Sequence, residues 1–120
     1  MTSAADLRRL ALALPGAYED LHRGKPAFRV EKRIFAMLGK AGGQGFMGLD
    51  QDQAAVLKLD REDQLNMAAA LEGAVIPTEQ YGHHGWTYVR LDRLAPDDLA
   101  TLVRLAWIAV APKRLSKSLP

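Results

Sequence analysis

The middle of this chain follows a hydrophobic period of two residues, whereas both ends follow the period of a helix. Between residues 7 and 14, and again between residues 99 and 110, apolar side chains recur at spacings of three and four, which places them on one helical face. Residues 86–91 alternate instead, with Trp86 and Tyr88 on one side of the chain and Val89 among those on the other, as half-buried strands do. Strands enclosed between two such helices are typical of an α+β protein.

Further apolar runs predict the rest of the sheet. Residues 26–38 hold two such runs around Glu31-Lys32-Arg33, the pattern of a β-hairpin with a polar turn. Residues 54–59 predict another strand. A helix capped by Asp60 follows that strand, with Leu65, Ala68, Ala69 and Leu71 as its apolar positions. Residues 75–81 predict an edge strand or an extended loop, because Pro77 has no N–H to donate to a ladder. The predicted order is α-β-β-β-α-β-β-α, with an antiparallel sheet and the helices on one of its faces.

A single core is expected between this sheet and the first and last helices. We see no linker or shift in composition, so residues 1–120 are expected to form one domain. Five glycines within residues 39–53 indicate a mobile loop, with a short strand at 45–49. The side chains expected to share the core are Phe28, Val30, Val56, Leu57 or Leu59, Val89 and Leu91.

Composition excludes several classes of protein. The 120 residues include no cysteine, which excludes disulfides, thiolate metal sites and thiol catalysis. Sixteen Lys and Arg against fourteen Asp and Glu give a net charge of +2, too small to indicate a nucleic-acid partner by itself. No segment approaches the roughly 18 apolar residues of a membrane span, and we find no secretory signal. We therefore expect a cytoplasmic protein with no membrane partner.

The placement of charge is the strongest functional signal. Residues 22–40 carry six basic side chains against Glu31 alone, whereas residues 46–80 carry two basic side chains against seven acidic ones. A basic hairpin that projected as a wing would present cations to DNA phosphates, although exposed strands also use Lys and Arg to prevent edge-to-edge aggregation. The side chains predicted to bind nucleic acid are Arg23, Lys25, Arg29, Lys32, Arg33 and Lys40, joined by His83 and His84 from the other strand pair.

Two histidines close to aromatic residues form a second candidate cluster. His83 and His84 lie between Tyr81 and Trp86, a combination that could stack a base, bind a metal or act in acid–base chemistry. Adjacent histidines of an extended chain usually point apart, and a metal site needs three or four ligands. We therefore expect no metal and no cofactor, and an exposed polar turn is the simpler interpretation.

Several segments in a fixed order resemble a known family. The segments are Leu14-Pro15-Gly16-Ala17-Tyr18-Glu19-Asp20, Pro26-Ala27-Phe28-Arg29-Val30, Ile34-Phe35-Ala36-Met37-Leu38, Leu57-Lys58-Leu59-Asp60 and Trp86-Thr87-Tyr88-Val89-Arg90-Leu91-Asp92. Together they resemble the MmcQ/YjbR family of small bacterial proteins. The resemblance implies a fold like that of the bacterial frataxin homologue CyaY, with two strand-pair wings beside a helix, and it implies DNA binding by analogy of shape.

The sequence thus favours a small non-enzymatic domain that binds DNA through phosphate contacts of the basic hairpin. A protein-interaction module is the alternative, using the hairpin or the strand at Pro77 to pair with a partner strand. A small enzyme built on Glu19, His22 and His83 is the weakest interpretation, because no set of nucleophile, base and orienting group is visible. DNA and another protein therefore both stay open as partners.

Overall fold

Within residues 1–119, which the structure describes, a computed structural model shows four α-helices and six strands. Pro120, the last residue of the predicted domain, lies outside the described residues. Three single 3₁₀ turns occupy Phe46–Gly48, Gly82–His84 and Leu91–Arg93. The helices and strands are α1 (Ala4–Leu12), β1 (Ala17–His22), β2 (Lys25–Val30), β3 (Arg33–Leu38), β4 (Ala54–Lys58), α2 (Arg61–Ala70), β5 (Val75–Pro77), β6 (Trp86–Arg90), α3 (Pro96–Val110) and α4 (Lys113–Ser116).

The six strands form one antiparallel sheet in the order β1-β2-β3-β4-β6-β5. The predicted α+β class is confirmed. Strand β5 lies at one edge and ends at Pro77, where the missing N–H costs no ladder hydrogen bond. Strand β1, with six residues, forms the other edge.

The predicted element order lacks strand β1 and the short helix α4. The four central residues of β1 are all exposed, so its sequence carries no alternation from which a strand could be inferred. The turn between β1 and β2 is Arg23-Gly24, in which both residues have positive φ, as tight hairpin turns require. Because β1 pairs with β2 and β4 pairs with β3, the β2–β3 hairpin is an interior pair and not the projecting wing expected from the sequence.

One face of the sheet packs against the helices. Phe28, Ala36 and Leu57 are paired across β2, β3 and β4, and all are fully buried. Trp107 of α3 fills the space above them, with its indole N–H donating to the carbonyl of Pro15 at 3.0 Å. The predicted core residues found in this cluster are Phe28, Val30, Leu57, Leu59, Val89 and Leu91.

Val56 was expected in the same core; it is buried, with 5% exposure, but it lies outside this cluster. Its register partners are Met37 on β3 and Tyr88 on β6, and these three side chains line a groove on the other side of the sheet. We call this side, opposite α1 and α3, the open face. Successive strand residues point to opposite faces, so β4 divides its side chains between the core and the open face.

The longest helix is α3, with 15 residues. No helix among residues 1–119 is long and apolar enough to cross a membrane.

Gly85 makes the closest backbone approach found at any glycine of the chain. Its φ is +95°, and a Cβ placed on it would lie 2.0 Å from the carbonyl oxygen of Leu59. The two segments are also joined by the N–H of Leu59, which donates to the carbonyl of Gly85 at 2.8 Å. Any side chain at this position would push β6 away from the end of β4.

We therefore expect Gly85→Ala to lower the free energy of unfolding by about 3 kcal/mol or more, because left-handed strain and a backbone clash add together. Gly42→Ala is the matched control, since Gly42 also has positive φ (+74°) but has no atom within 4 Å of its added Cβ. The control should lose about 1 kcal/mol from strain alone. Urea unfolding of both variants measures the difference, and equal losses would contradict the close approach.

Candidate nucleic-acid interface

A groove of about 470 Å³ lies on the open face. Its floor comes from the strands β3, β4 and β6, and its walls come from β1, the Phe46–Gly48 turn and the segment after β5. Ten residues line it: His22, Met37, Phe46, Val56, Thr78, Glu79, Gln80, Tyr81, Trp86 and Tyr88. Four of these ten are aromatic, which is a high share for a chain in which aromatic residues are 7% of the whole.

The alternation of β6 puts Trp86 and Tyr88 on one face, as the sequence predicts, and both side chains line the groove. Trp86 and Tyr88 are half-buried on the open face, whereas Thr87 and Val89 are fully buried on the core face. Trp86 is the register partner of Lys58. The strand therefore presents ring faces and a cation side by side.

Phe46 reaches the groove from the glycine-rich loop. The backbone of Gly39 passes so close to Gly45 that a Cβ on Gly39 would lie 2.9 Å from the Cα of Gly45. The N–H of Gly45 donates to the carbonyl of Leu49 at 2.7 Å. These contacts fold the loop back on itself, and Phe46–Gly48 forms a 3₁₀ turn in place of the strand expected at 45–49. The Phe46 ring then lies 6.3 Å from that of Tyr88.

A buried polar network holds the opposite wall. Gln64 of α2 is fully buried, and its amide N–H₂ donates to the hydroxyl of Thr87 at 2.9 Å and to the carbonyl of Trp86 at 3.2 Å. Arg61 donates to the Gln64 amide oxygen at 2.5 Å and to the carbonyl of Gly82 at 3.2 Å. Because buried polar groups are costly when left without partners, this network fixes the backbone on both sides of Gly85 to α2.

Two lysines lie over two of the groove rings. The ammonium of Lys25 is 5.3 Å from the centroid of Phe46, and that of Lys58 is 5.1 Å from the centroid of Trp86. Both distances fall within the range of cation–π contacts. Lysine and ring are thus paired twice, once on each side of the groove.

The predicted nucleic-acid-binding cations are divided between the two ends of β2. Arg23 and Lys25 lie at its beginning together with Lys40, whose Cε is 3.9 Å from the position of a Cβ on Gly24. Lys32 and Arg33 lie at its other end, and Lys32 occupies the turn with positive φ. None of these five takes part in an ion pair within the described part of the chain.

Arg29 is the predicted cation with the strongest internal contacts. Its guanidinium donates to Asp20 at 2.9 Å and to the carbonyl of Lys32 at 2.8 Å, and its side chain is 19% exposed. Glu31, the single acid of the hairpin, pairs with Arg114 of α4. Asp20 and Glu31 are therefore paired with Arg29 and Arg114, and neither acid is paired with the other hairpin cations.

His83 and His84 lie in the exposed 3₁₀ turn that precedes β6. Their rings are 4.0 Å apart, because the turn brings together side chains that an extended chain would separate. Among residues 1–119, no group of three or more histidine or acidic side chains is arranged to hold a metal ion. The role of these two residues in nucleic-acid binding stays a prediction.

Glu19 and His22 are not brought together. Glu19 faces α1 and pairs with Arg8 at 2.9 Å, whereas His22 lines the groove on the open face. The acid–base group suggested by their spacing in the sequence is therefore divided between the two faces of the sheet.

Phe46, which lines the groove, and Lys58, which lies beside it over Trp86, are given no role by the sequence analysis. Lys58 ends a predicted strand next to Leu57 and Leu59, so the alternation rule alone could have placed it on the face opposite to theirs. No comparable signal marks Phe46, because its position depends on the contact of Gly39 with Gly45.

The pKa of Lys58 is below its ordinary value. Partial burial is the larger cause, because it disfavours the charged ammonium, and the positive charge of Arg33 is the second. Arg33 at the end of the hairpin and Lys58 at the end of β4 therefore form one local region of positive potential. This region lies beside Trp86, at one end of the groove.

This geometry defines a class of α+β protein in which helices cover one face of the sheet and the other face carries an aromatic groove flanked by two lysines. The fold is shared with Deinococcus radiodurans protein DR2400, of the DUF419 domain class, whose crystal structure has a TM-score of 0.74 to this chain. The two are 22% identical, and the match covers 100% of this chain and 91% of that one. No protein in a search of curated proteins matches this chain. The YjbR family model matches residues 12–109, and the chain therefore belongs to the YjbR family, as its resemblance indicated.

Replacing Arg33 with Gln should raise the pKa of Lys58 toward its ordinary value, because one of the two causes of the shift is removed. Since a lowered lysine pKa means that the folded chain binds the proton less tightly than the unfolded chain, the free energy of unfolding should rise as pH rises through that lowered pKa. This rise should be smaller in Arg33→Gln. NMR titration of the lysine side chains measures the pKa, with Lys117→Gln as a control; an unchanged Lys58 pKa would contradict the shared potential.

Proposed function

We propose that this protein binds DNA through phosphate contacts made by the cations around the open face. The observation that carries the proposal is that Lys25 and Lys58 flank the groove, and Arg33 lies near Lys58, with no ion-pair partner for any of the three among residues 1–119. Glu79 is the one acid among the lining residues. The groove therefore favours an anionic ligand.

Cations without an ion-pair partner bind a phosphate at a lower energetic cost than paired cations do. An exposed cation that already has a carboxylate partner must give up that contact to bind a phosphate, whereas Lys25, Lys32 and Arg33 do not. Each phosphate that is neutralised releases counterions, which gives a slope of about −0.9 in log K against log salt on duplex DNA. Contacts of this kind hold the backbone without reading the base sequence, so the proposal is for binding without strong sequence preference.

The proposal retains the hairpin cations expected from the sequence but changes their arrangement. They lie at the two ends of an interior hairpin, next to the groove, and do not form a projecting wing. We further propose a non-enzymatic role in the bacterial cytoplasm, where DNA would be accessible to the open face.

We expect the double variant Lys25→Gln/Arg33→Gln to bind DNA more weakly and to reduce the salt slope by about two, one for each lost phosphate contact. The matched control is Lys113→Gln/Lys117→Gln, which removes the same charge from exposed positions in and just after α4. Fluorescence anisotropy of labelled DNA at several salt concentrations measures both quantities. A wild-type protein without salt-dependent binding, or a slope lost equally in both variants, would refute the proposal.

A protein-interaction role is the second candidate, and the exposed edge strand β1 favours it. Leu21 is 69% exposed and Tyr18 40% exposed on this strand, and an edge strand can pair with an added peptide strand. Such binding would be insensitive to the charge at Lys25 and Arg33. Leu21→Gln, which leaves the charge unchanged, should weaken it without changing any affinity for DNA.

A further inference from the structure

The aromatic rings of the groove offer stacking contacts, which phosphate binding alone does not use. Phe46, Trp86 and Tyr88 are half-buried, and the planes of Phe46 and Tyr88 are tilted by 48° at a centroid distance of 6.3 Å. Partly exposed ring faces next to cations are what proteins use to stack unpaired bases. A duplex keeps its bases stacked inside, whereas a single strand presents base and phosphate together.

We propose that the open-face groove takes single-stranded DNA, with unpaired bases stacked on Trp86 and Phe46 and the adjoining phosphates held by Lys58 and Lys25. This inference rests on the proposed DNA-binding function and specifies the form of DNA and the contacting atoms.

The size of the groove supports an unpaired base. Its volume of about 470 Å³ falls within the ~300–1,000 Å³ of sites that take small organic ligands. A nucleotide from a flexible single strand can enter such a space. A base pair in a duplex cannot enter it without being opened, which costs unstacking and unpairing energy.

The double pairing of lysine and ring favours a polymer over a single small anion. Lys25 begins β2 and Lys58 ends β4, with β3 between these strands, so the two lysines are separated by roughly 10 Å across the strands alone. Each lies over its own ring. A repeating ligand with alternating base and phosphate matches two such pairs, whereas one small anion would use only one.

The lysine over each ring does not block stacking. A cation–π contact at a partly exposed site is weaker than the stacking of a base on an aromatic side chain. The flexible four-carbon stem of lysine lets the ammonium move while its Cα stays in place. On binding, the base stacks on the ring and the ammonium turns to the neighbouring phosphate. The lysine thereby replaces its cation–π contact with a stronger, charge-assisted hydrogen bond.

The test compares single-stranded oligothymidine with a duplex of equal length at two salt concentrations. We expect the single strand to bind about ten-fold more tightly or better, and to quench tryptophan fluorescence as a base stacks on Trp86. Trp107, the other tryptophan, is fully buried in the core and supplies a constant background. Trp86→Leu and Phe46→Leu should each weaken single-strand binding about ten-fold.

Two further variants are controls that distinguish a lost contact from a loss of structure. Trp86→Phe keeps a ring and should retain most of the affinity that Trp86→Leu loses. Tyr18→Leu removes a 40% exposed ring on β1 that does not line the groove, and its affinity should equal that of the wild type. Thermal melts of all variants establish that they are folded at the assay temperature.

The outcomes separate this inference from the function on which it rests. Salt-dependent binding in which the duplex equals the single strand, with Trp86→Leu no weaker than Tyr18→Leu, would overturn the stacking proposal and leave DNA binding in place. Salt-dependent binding of neither form would refute DNA binding itself. A single-strand preference that disappears in Trp86→Leu and persists in Trp86→Phe supports both.

Discussion

Backbone pairing of β4 with β6 decides which side chains face the helices and which face water. The register sets Leu57 beside Thr87 and Ala55 beside Val89 on the side that α3 covers, and Val56 beside Tyr88 and Lys58 beside Trp86 on the other. A one-residue slip would exchange these sets and put a lysine into the core. The fully buried Trp107 and Leu57 make that slip costly, so the packing that stabilises the fold also selects the residues of the groove.

Close backbone contacts position the parts of the groove that lie outside the strands. Gly85 lies against Leu59, and Gly39 against Gly45, at distances that no side chain would allow. The first contact, together with the hydrogen bonds of Gln64, holds the turn before Trp86. The second brings Phe46 over the sheet. The groove is thus shaped by glycines and one buried amide, whereas its chemistry comes from lysines and rings that contribute little to the core.

Sequence reasoning succeeds where a strand has two different faces. It places Trp86 and Tyr88 apart from Thr87 and Val89, and an edge strand at Pro77 is one of the two alternatives that it gives. It misses β1 because that strand is exposed on both faces, and it misplaces Val56 because residues 54–57 are all buried and so show no period. The position of Phe46 could not be predicted for a third reason, since it depends on a contact between two glycines six residues apart. The hairpin cations are recognisable by residue type, but their position at the two ends of β2, in the interior of the sheet, depends on the flanking strands β1 and β4.

The open face, and not the helical face, is the surface that we propose meets DNA. Chemical-shift mapping of backbone amides during titration with short single-stranded DNA tests this proposal most directly. We expect shifts at Met37, Val56, Tyr88 and the Phe46–Gly48 turn, with little change in the shallow apolar groove between α1 and α3 that includes Leu10, Ala13 and Ala100. Shifts concentrated between α1 and α3, with the amides of β3, β4 and β6 unmoved, would contradict it.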